Sequence, residues 1–237
     1  MMPAAVDLNT PLAIESSWFQ DAVPVDRDNV DPDDLQGFEA IGDETITQLC
    51  GAPADANIEL GFDGQTLIFE VIGSSYLVST NTVSFHADQN GEPYLYVDFV
   101  HLREDAPPGL AAVMLWRMVR ACATLKIPHI RLQAVGGRNR PSFPDGSRLL
   151  GYYAWPRYGF DGPVQSESDT ALFQYFPHFP AGLADGSLKS LLDLFAQPGG
   201  RQFWLVGGKQ RDLVFEVAPT SRSVQTLHSY LREKEFF

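Results

Sequence analysis

Residues 93–112 read PYLYVDFVHLREDAPPGLAA, and this stretch decides the order of elements in the core of the chain. Its first half, over 93–102, has side chains that alternate with a period of two, which is typical of a strand. Its second half contains a Pro/Gly/Ala turn that opens an apolar run with helical periodicity over residues 107–126. The stretch therefore predicts a strand that ends at a turn into a long, mostly buried helix.

Segments with period-two patterning precede this stretch, and mixed patterning follows it. The expected strands cover 58–62, 66–72 and 76–87, and the dipeptides Asp63-Gly64, Gly73-Ser74 and Asn90-Gly91 between them are turn signals. Consecutive strands joined by tight turns predict an antiparallel meander. Further on, the sequence predicts a strand over 130–135 and a helix over 147–155 that Pro156 stops or kinks. It then predicts a helix over 187–196, a hairpin of 203–207 with 213–217, and a final helix over 220–234 that Thr220 or Ser221 caps.

These elements indicate an α+β fold with a mixed, mostly antiparallel central sheet, flanking helices and an α/β C-terminal extension. We expect three parts along the chain: an acidic leader or wrapping segment over 1–55, a core over 56–165, and an extension over 166–237 that packs on the core.

The charge of the chain is unevenly distributed. The formal net charge is −13, and residues 1–55 hold twelve acidic side chains against the single base Arg27. Between residues 98 and 157 there are nine basic side chains against four acidic ones. The acidic total excludes a broad nucleic-acid-binding face, whereas the basic core permits a ligand that carries phosphate. The leader itself suits docking on a basic partner.

Several other classes of protein are disfavoured. The five histidines show no zinc-ligand spacing, and no phosphate-binding loop or serine-hydrolase elbow is found, so we expect no metal. No run of about 18 apolar residues indicates a membrane span, and the N-terminus does not resemble a signal peptide. Cys50 and Cys122 do not suggest a disulfide framework, and we therefore expect a cytoplasmic protein.

The helix over 107–126 predicts an anion site at its start and a polar stripe along its length. Its N-terminus offers backbone N–H groups, and small residues there allow a phosphate to approach closely. Arg117, Arg120 and Thr124 are spaced i, i+3 and i+7, which predicts one narrow stripe of solvent-facing side chains.

Three segments together resemble the GNAT superfamily of acyl-CoA-dependent N-acyltransferases. They are the strand over 94–102, the turn over 106–111, and the segment GYYAWPRYGF over 151–160. The resemblance covers roughly residues 57–165. It implies that an acyl-CoA, such as acetyl-CoA, serves as cosubstrate and that its pyrophosphate binds at Gly109, Leu110 and Ala111.

The turn matches the family pattern at Gly109 and Ala111 and departs from it at two positions. Ala106 stands where Gln or Arg is usual, and Pro108 lacks the N–H that the usual residue would carry. Arg138 and Arg140, in the loop after the next strand, are further candidates for binding the phosphorylated cosubstrate.

A general acid for the leaving thiolate is the first catalytic role that the resemblance implies. Trp155 stands where the family commonly has a tyrosine, and an indole cannot supply that proton. Tyr152 is our first candidate because it lies about one turn before Trp155 on the same predicted helix. Tyr153, Tyr158 and water are alternatives, and the aromatic cluster is equally compatible with core packing.

A general base is needed because an ammonium must lose a proton before it attacks a thioester. Asp98 is the one carboxylate inside the strand, and it shares a face with Tyr94 and Tyr96. The aromatic surroundings would raise its pKa. His101 and Glu104 are rival bases, and a structural Asp98 paired with an arginine is as compatible with the sequence.

These residues support more than one function. The first is an N-acyltransferase in which a small-molecule or peptide amine attacks the acyl-CoA thioester directly. The second is a catalytically silent GNAT-like module for binding or regulation, favoured by Ala106 and Trp155. In a third, the acidic leader is an interaction segment. The sequence is also compatible with a homodimer.

Overall fold

A computed structural model describes residues 4–35, 38–138, 142, 146, 148–164, 182–183 and 185–237. Over these residues the chain forms seven strands: β1 Val25–Asp26, β2 Asn57–Phe62, β3 Leu67–Ile72, β4 Asn81–Ala87, β5 Pro93–Phe99, β6 His129–Gly137 and β7 Lys209–Glu216. The α-helices are α1 Glu15–Trp18, α2 Asp43–Leu49, α3 Leu110–Thr124, α4 Gly151–Arg157, α5 Leu191–Ala196, α6 Gly200–Gly207 and α7 Arg222–Glu233.

The strands form one mixed sheet in chain order, from β1 to β7. β1 runs parallel to β2, whereas β2, β3, β4 and β5 pair antiparallel in sequence. The predicted α+β class, with its antiparallel meander, is therefore confirmed. The strand predicted over 76–87 begins only at Asn81, because the preceding residues form a loop in which Leu77 makes an isolated bridge to Leu102.

The meander has one apolar face and one polar face. Leu67, Phe69 and Val71 of β3 are fully buried, and they alternate with Ile68 and the exposed Glu70. Side chains on successive strand residues point to opposite faces, so this alternation fixes the register of the strands. The polar face carries the candidate site described below.

The chain divides into two compact units, one made of Met1–Arg131 with Glu216–Phe237 and the other of Leu132–Phe215. The acidic leader belongs to the first unit. There, Val25 and Asp26 of β1 pair with Ile58 and Glu59 of β2, and the Val23 N–H donates to the Thr47 hydroxyl at 3.0 Å. The three-part division of the chain remains a prediction.

The leader covers the first part of the polar stripe of α3, so the prediction that the stripe faces solvent is wrong for Arg117, whereas Thr124 is exposed. Arg117 is only 3% exposed, and its guanidinium donates to the Glu15 carboxylate and to the Gln20 carbonyl, each at 2.7 Å. Its Cζ lies 5.0 Å from the centroid of the Phe19 ring. Arg120 also binds Glu15. A leader glutamate therefore neutralises basic residues of this chain's own helix.

One prediction about the second unit is wrong, and another differs in its bounds. Residues 200–207 form a helix instead of the first strand of a hairpin, whereas the helix predicted over 147–155 spans Gly151–Arg157 and ends one residue after Pro156. Proline has no N–H, so the carbonyl of Tyr152, four residues earlier, loses its helical partner. The Trp204 indole N–H of α6 donates to that carbonyl at 2.9 Å. Trp204 is fully buried, and its place on a helix satisfies the carbonyl that Pro156 leaves without a donor.

The C-terminal helix follows the prediction closely. α7 spans Arg222–Glu233, and the Ser221 hydroxyl accepts from the Val224 N–H at 3.1 Å. Ser221 is therefore the N-cap, one of the two predicted alternatives.

Both cysteines, Cys50 and Cys122, are buried free thiols. Among the described residues, no helix is long and apolar enough to cross a membrane.

Candidate functional site

A β-bulge places Asp98 at an irregular point of β5. Val97 pairs with Val83 of β4, and Phe99 pairs with the adjacent residue Thr82, so Asp98 has no residue opposite it in β4. A bulge leaves its extra residue outside the ladder, bends the strand and changes the direction of the side chain. Bulges are common beside active sites for that reason. The sequence predicted the strand but not this irregularity.

Asp98 belongs to a small polar and aromatic group, which we call the Asp98 cluster: Ser84, His86, Tyr94, Tyr96 and Asp98. The Ser84 hydroxyl donates to Asp98 Oδ2 at 2.5 Å and lies 2.8 Å from His86 Nε2. Tyr96 is paired with Ser84 across the strands, and Tyr94 is paired with His86. Asp98 thus shares a face with both tyrosines, as the strand periodicity predicted.

Aromatic contacts hold the His86 side of the cluster in place. The ring of His86 stacks on Tyr94, with centroids 5.2 Å apart and planes 9° apart, and it meets Tyr96 edge-on at 5.9 Å. Arg131 lies over the Tyr94 ring, with its Cζ 4.1 Å from the centroid. Tyr94 therefore contacts both an imidazole and a guanidinium, which restricts its rotamer.

The environment of Asp98 suits a base. Partial burial raises the pKa of its carboxyl, and this effect is opposed by the Ser84 hydrogen bond and by the charge of His86. The residue is nevertheless exposed, so a ligand on the polar face of the sheet can reach its carboxylate. A carboxylate with a raised pKa that remains accessible is able to take a proton from a bound acid.

His101, the second candidate base, follows the end of β5. Its backbone N–H donates to the Asn81 side-chain carbonyl at 2.9 Å, and its ring packs edge-on against Phe99 at 6.0 Å. These contacts hold the chain as it leaves β5 for the turn that precedes α3. Glu104, the third candidate, is exposed in that turn.

The candidate cofactor turn lies at the start of α3. Gly109 has φ +94°, a left-handed conformation that favours glycine, and the helix begins at Leu110. The Leu110 N–H donates to the Pro107 carbonyl at 3.1 Å, and Leu110 itself is buried. Ala111 is half-buried.

The ring of Phe236 covers this turn. A Cβ at Gly109 would overlap the ring, so the aromatic side chain rests directly against the glycine. Phe236 is held there by three contacts: its carbonyl accepts from the Ala13 N–H at 2.7 Å, its N–H donates to the Leu231 carbonyl at 3.1 Å, and its ring meets Trp18 edge-on at 5.9 Å. A ligand at Gly109 must therefore displace Phe236.

Tyr152, the candidate acid, lies in the second unit and is buried. Its hydroxyl donates to the Leu205 carbonyl at 2.6 Å, and its burial raises the pKa of the phenol. Its ring lies so close to Gly208 that a Cβ there would overlap it. To protonate a thiolate, this hydroxyl would first have to leave a main-chain carbonyl.

The other predicted tyrosines are less buried than Tyr152. Tyr153 is half-buried, with Arg157 over its ring at 5.5 Å, and Tyr158 is half-buried against Trp155.

Of the two candidate arginines, Arg138 is exposed and its backbone N–H donates to the Gly208 carbonyl at 3.1 Å. Arg140 lies outside the described residues.

The Asp98 cluster contains both residues that the sequence predicted for the site and residues that it did not. It brings Asp98 together with Ser84 and His86, which sequence reasoning missed. Their pairing was recoverable, because the turn around Asn90-Gly91 sets His86 opposite Tyr94 and Ser84 opposite Tyr96. The contact between Phe236 and Gly109 has no local sequence signal.

Within the described part of the chain, no group of three or more His, Cys, Asp or Glu side chains is arranged to hold a metal ion. The sequence matches no protein-family model, and none of the curated proteins matches it.

Proposed function

We propose that the chain is an acyl-CoA-dependent N-acyltransferase that moves an acetyl or other acyl group to an amine acceptor. The observation that carries the proposal is Asp98: an accessible carboxylate on a β-bulge, hydrogen-bonded by Ser84, with a raised pKa. The order of β5, α3, β6 and α4 along the chain supports it as a GNAT-like arrangement.

In the proposed reaction, the acceptor binds as an ammonium over the polar face of the sheet. Asp98 accepts one N–H proton, and the neutral amine then attacks the carbonyl carbon of the thioester. A C–N bond forms and the C–S bond breaks, so that the electron pair leaves on sulfur as a thiolate. The attacking nitrogen loses its second proton as it becomes the amide, and the thiolate takes up that proton, directly or through solvent. The negative charge of the Asp98 carboxylate attracts the ammonium before it is deprotonated.

The acyl donor would approach through the turn at Gly109, Leu110 and Ala111. The positive φ of Gly109 and the N-terminus of α3 support a phosphate-bearing donor there. Pro108 and the bonded Leu110 N–H reduce the number of amides available to it. Positioning of donor and acceptor would supply most of the rate enhancement.

A thiol-release assay tests the proposal. The full chain is mixed with acetyl-CoA and a panel of primary amines that includes polyamines, aromatic amines and lysine peptides. We expect release of free thiol that depends on one class of amine. Thiol release no faster than in the protein-free control, across the whole panel, would overturn the proposed activity.

The cover over Gly109 favours a second candidate, the catalytically silent GNAT-like module. In that function, Phe236 fills the turn permanently and no acyl donor binds. The cluster around Asp98 would then bind an amine without chemistry.

Replacing Phe236 with alanine separates the two candidates. If the turn binds acetyl-CoA, the variant should bind it about tenfold more tightly than the natural chain, because no ring has to be displaced; tenfold is about 1.4 kcal/mol. Calorimetric titration measures the difference. Phe237→Leu is the matched control, since Phe237 contacts His228 and Trp116, with ring centroids 4.9 and 5.8 Å away. Absence of binding by every variant at millimolar acetyl-CoA would leave the silent module as the better account.

A further inference from the structure

Ser84 is a buried serine at the centre of the Asp98 cluster. It is only 3% exposed, although it lies on the polar face of the sheet. Its hydroxyl is within hydrogen-bond distance of both Asp98 and His86. The Ser84 hydroxyl therefore connects the carboxylate of Asp98 to the imidazole of His86, two residues that lie on different strands.

The two hydrogen bonds of the Ser84 hydroxyl determine the tautomer of neutral His86. An ionised carboxylate only accepts hydrogen bonds, so the single proton of the Ser84 hydroxyl goes to Asp98 Oδ2. The Ser84 oxygen is then left to accept from His86 Nε2 at 2.8 Å, and that nitrogen must carry a proton. Neutral His86 is therefore the Nε2–H tautomer whenever Asp98 is ionised.

His86 faces charged groups on more than one element. On β5 it faces Asp98, through Ser84, and the phenols of Tyr94 and Tyr96. In the turn between β2 and β3 it faces Asp63, whose pKa is lowered mainly by backbone hydrogen bonds from Gln65 and Thr66, with a smaller effect of the His86 charge. Arg131 of β6 lies beyond Tyr94.

We propose, as an extension that rests on the proposed function, that Ser84 and His86 are positioning residues for Asp98. Ser84 holds Oδ2, which leaves Oδ1 to meet the proton of the acceptor. Through the same hydroxyl, the charge state of His86 sets how strong a base Asp98 is.

The direction of each effect follows from electrostatics. A protonated His86 favours the ionised carboxylate, so it lowers the pKa of Asp98 and makes the base weaker. The Ser84 hydrogen bond acts in the same direction, and Ser84→Ala should therefore raise the pKa of Asp98. Without the hydroxyl, Asp98 also loses its fixed orientation, and we expect kcat to fall by about tenfold to a hundredfold.

Nuclear magnetic resonance on the labelled full chain, with no substrate added, tests this inference. The pH titration of the Asp98 carboxyl carbon and the two ring nitrogens of His86 are followed in the natural chain and in Ser84→Ala. Thr82→Val is the matched control, because Thr82 is a hydroxyl residue two positions earlier on β4 and on the same face.

In the natural chain, the nitrogens of neutral His86 should show the Nε2–H tautomer. In Ser84→Ala, the Asp98 titration should move to higher pH and the tautomer preference should be lost, whereas Thr82→Val should change neither. An Nδ1–H tautomer in the natural chain, or equal behaviour of the two variants, would overturn the inference. Because no acyl donor is used, this result is independent of whether the acyl-transfer assay succeeds.

Discussion

Asp98→Asn is expected to lower kcat/KM for amine acylation by about 10²–10⁴-fold, the usual contribution of a general base. Asparagine has nearly the same shape, and its side-chain carbonyl still accepts from the Ser84 hydroxyl, so the β-bulge and the packing of the cluster should be kept. The variant loses only the ability to take up a proton. Steady-state rates with the best acceptor of the panel give the ratio.

Glu70→Gln is the matched control for this prediction. Glu70 is an exposed carboxylate on β3 that pairs with Thr82, so it lies on the same face of the sheet as Ser84. Its neutralisation should change kcat/KM less than threefold, about 0.7 kcal/mol. If Asp98→Asn is as active as Glu70→Gln, then Asp98 is not the base.

The pH profile provides a second readout of the same residue. The base must be ionised, so activity is lost as the pH falls through the pKa of Asp98. Partial burial raises this pKa above its ordinary value of 3.8. The acid limb of kcat/KM in the natural chain should therefore lie at a higher pH than that of an ordinary aspartate, and Asp98→Asn should have no such limb.

Arg117→Met is expected to lower the free energy of unfolding by about 3 kcal/mol, the lower end of the cost of breaking a buried ion pair, because Arg120 still neutralises Glu15. The side chain of Arg117 is 4% exposed and that of Glu15 is 13% exposed, so water can replace little of their interaction. The variant also removes the donor to the Gln20 carbonyl and the cation over the Phe19 ring. The leader should detach from α3 more easily.

Urea unfolding of the full chain measures this loss, and hydrogen exchange of the leader amides locates it. Arg120→Met is the matched control, because Arg120 binds the same carboxylate but its side chain is 18% exposed. Its loss should be clearly smaller. A change of less than 1 kcal/mol for Arg117→Met, or an equal loss in both variants, would contradict the view that the leader is anchored through Arg117.

The meander was predictable because its signals are local. Turn dipeptides and period-two alternation predicted β2, β3, β4 and β5, and the alternation placed Asp98 on the face of the tyrosines. The bulge was not predictable in the same way. It depends on how β5 pairs with β4, and one strand alone contains no information on that pairing.

The elements that sequence reasoning missed depend on distant residues. Trp204 lies on a helix instead of a strand, where its indole meets the carbonyl that Pro156 leaves without a donor, and that contact joins residues 52 positions apart. Arg117 looked like a surface residue because its partner Glu15 lies 102 positions away. Tertiary contacts of this kind override local propensity.

The candidate site combines one residue that has a local sequence signal with two that have none. Asp98 was found because a carboxylate within a strand stands out, whereas Ser84 and His86 are ordinary residues until the register sets them opposite the tyrosines. The cover of Phe236 over Gly109 joins the C-terminus to the start of α3, and no pattern along the sequence connects them.

Mass spectrometry of the acceptor tests acyl transfer to an amine most directly. The full chain is incubated with acetyl-CoA that carries an isotopic label in its acetyl group, together with the amine that gave thiol release. The proposed function predicts one labelled acetyl group on the amine nitrogen for each thiol released, and a fall of both products by the same factor in Asp98→Asn. Thiol release without labelled amine, or labelling equal to that in the protein-free control, would contradict it.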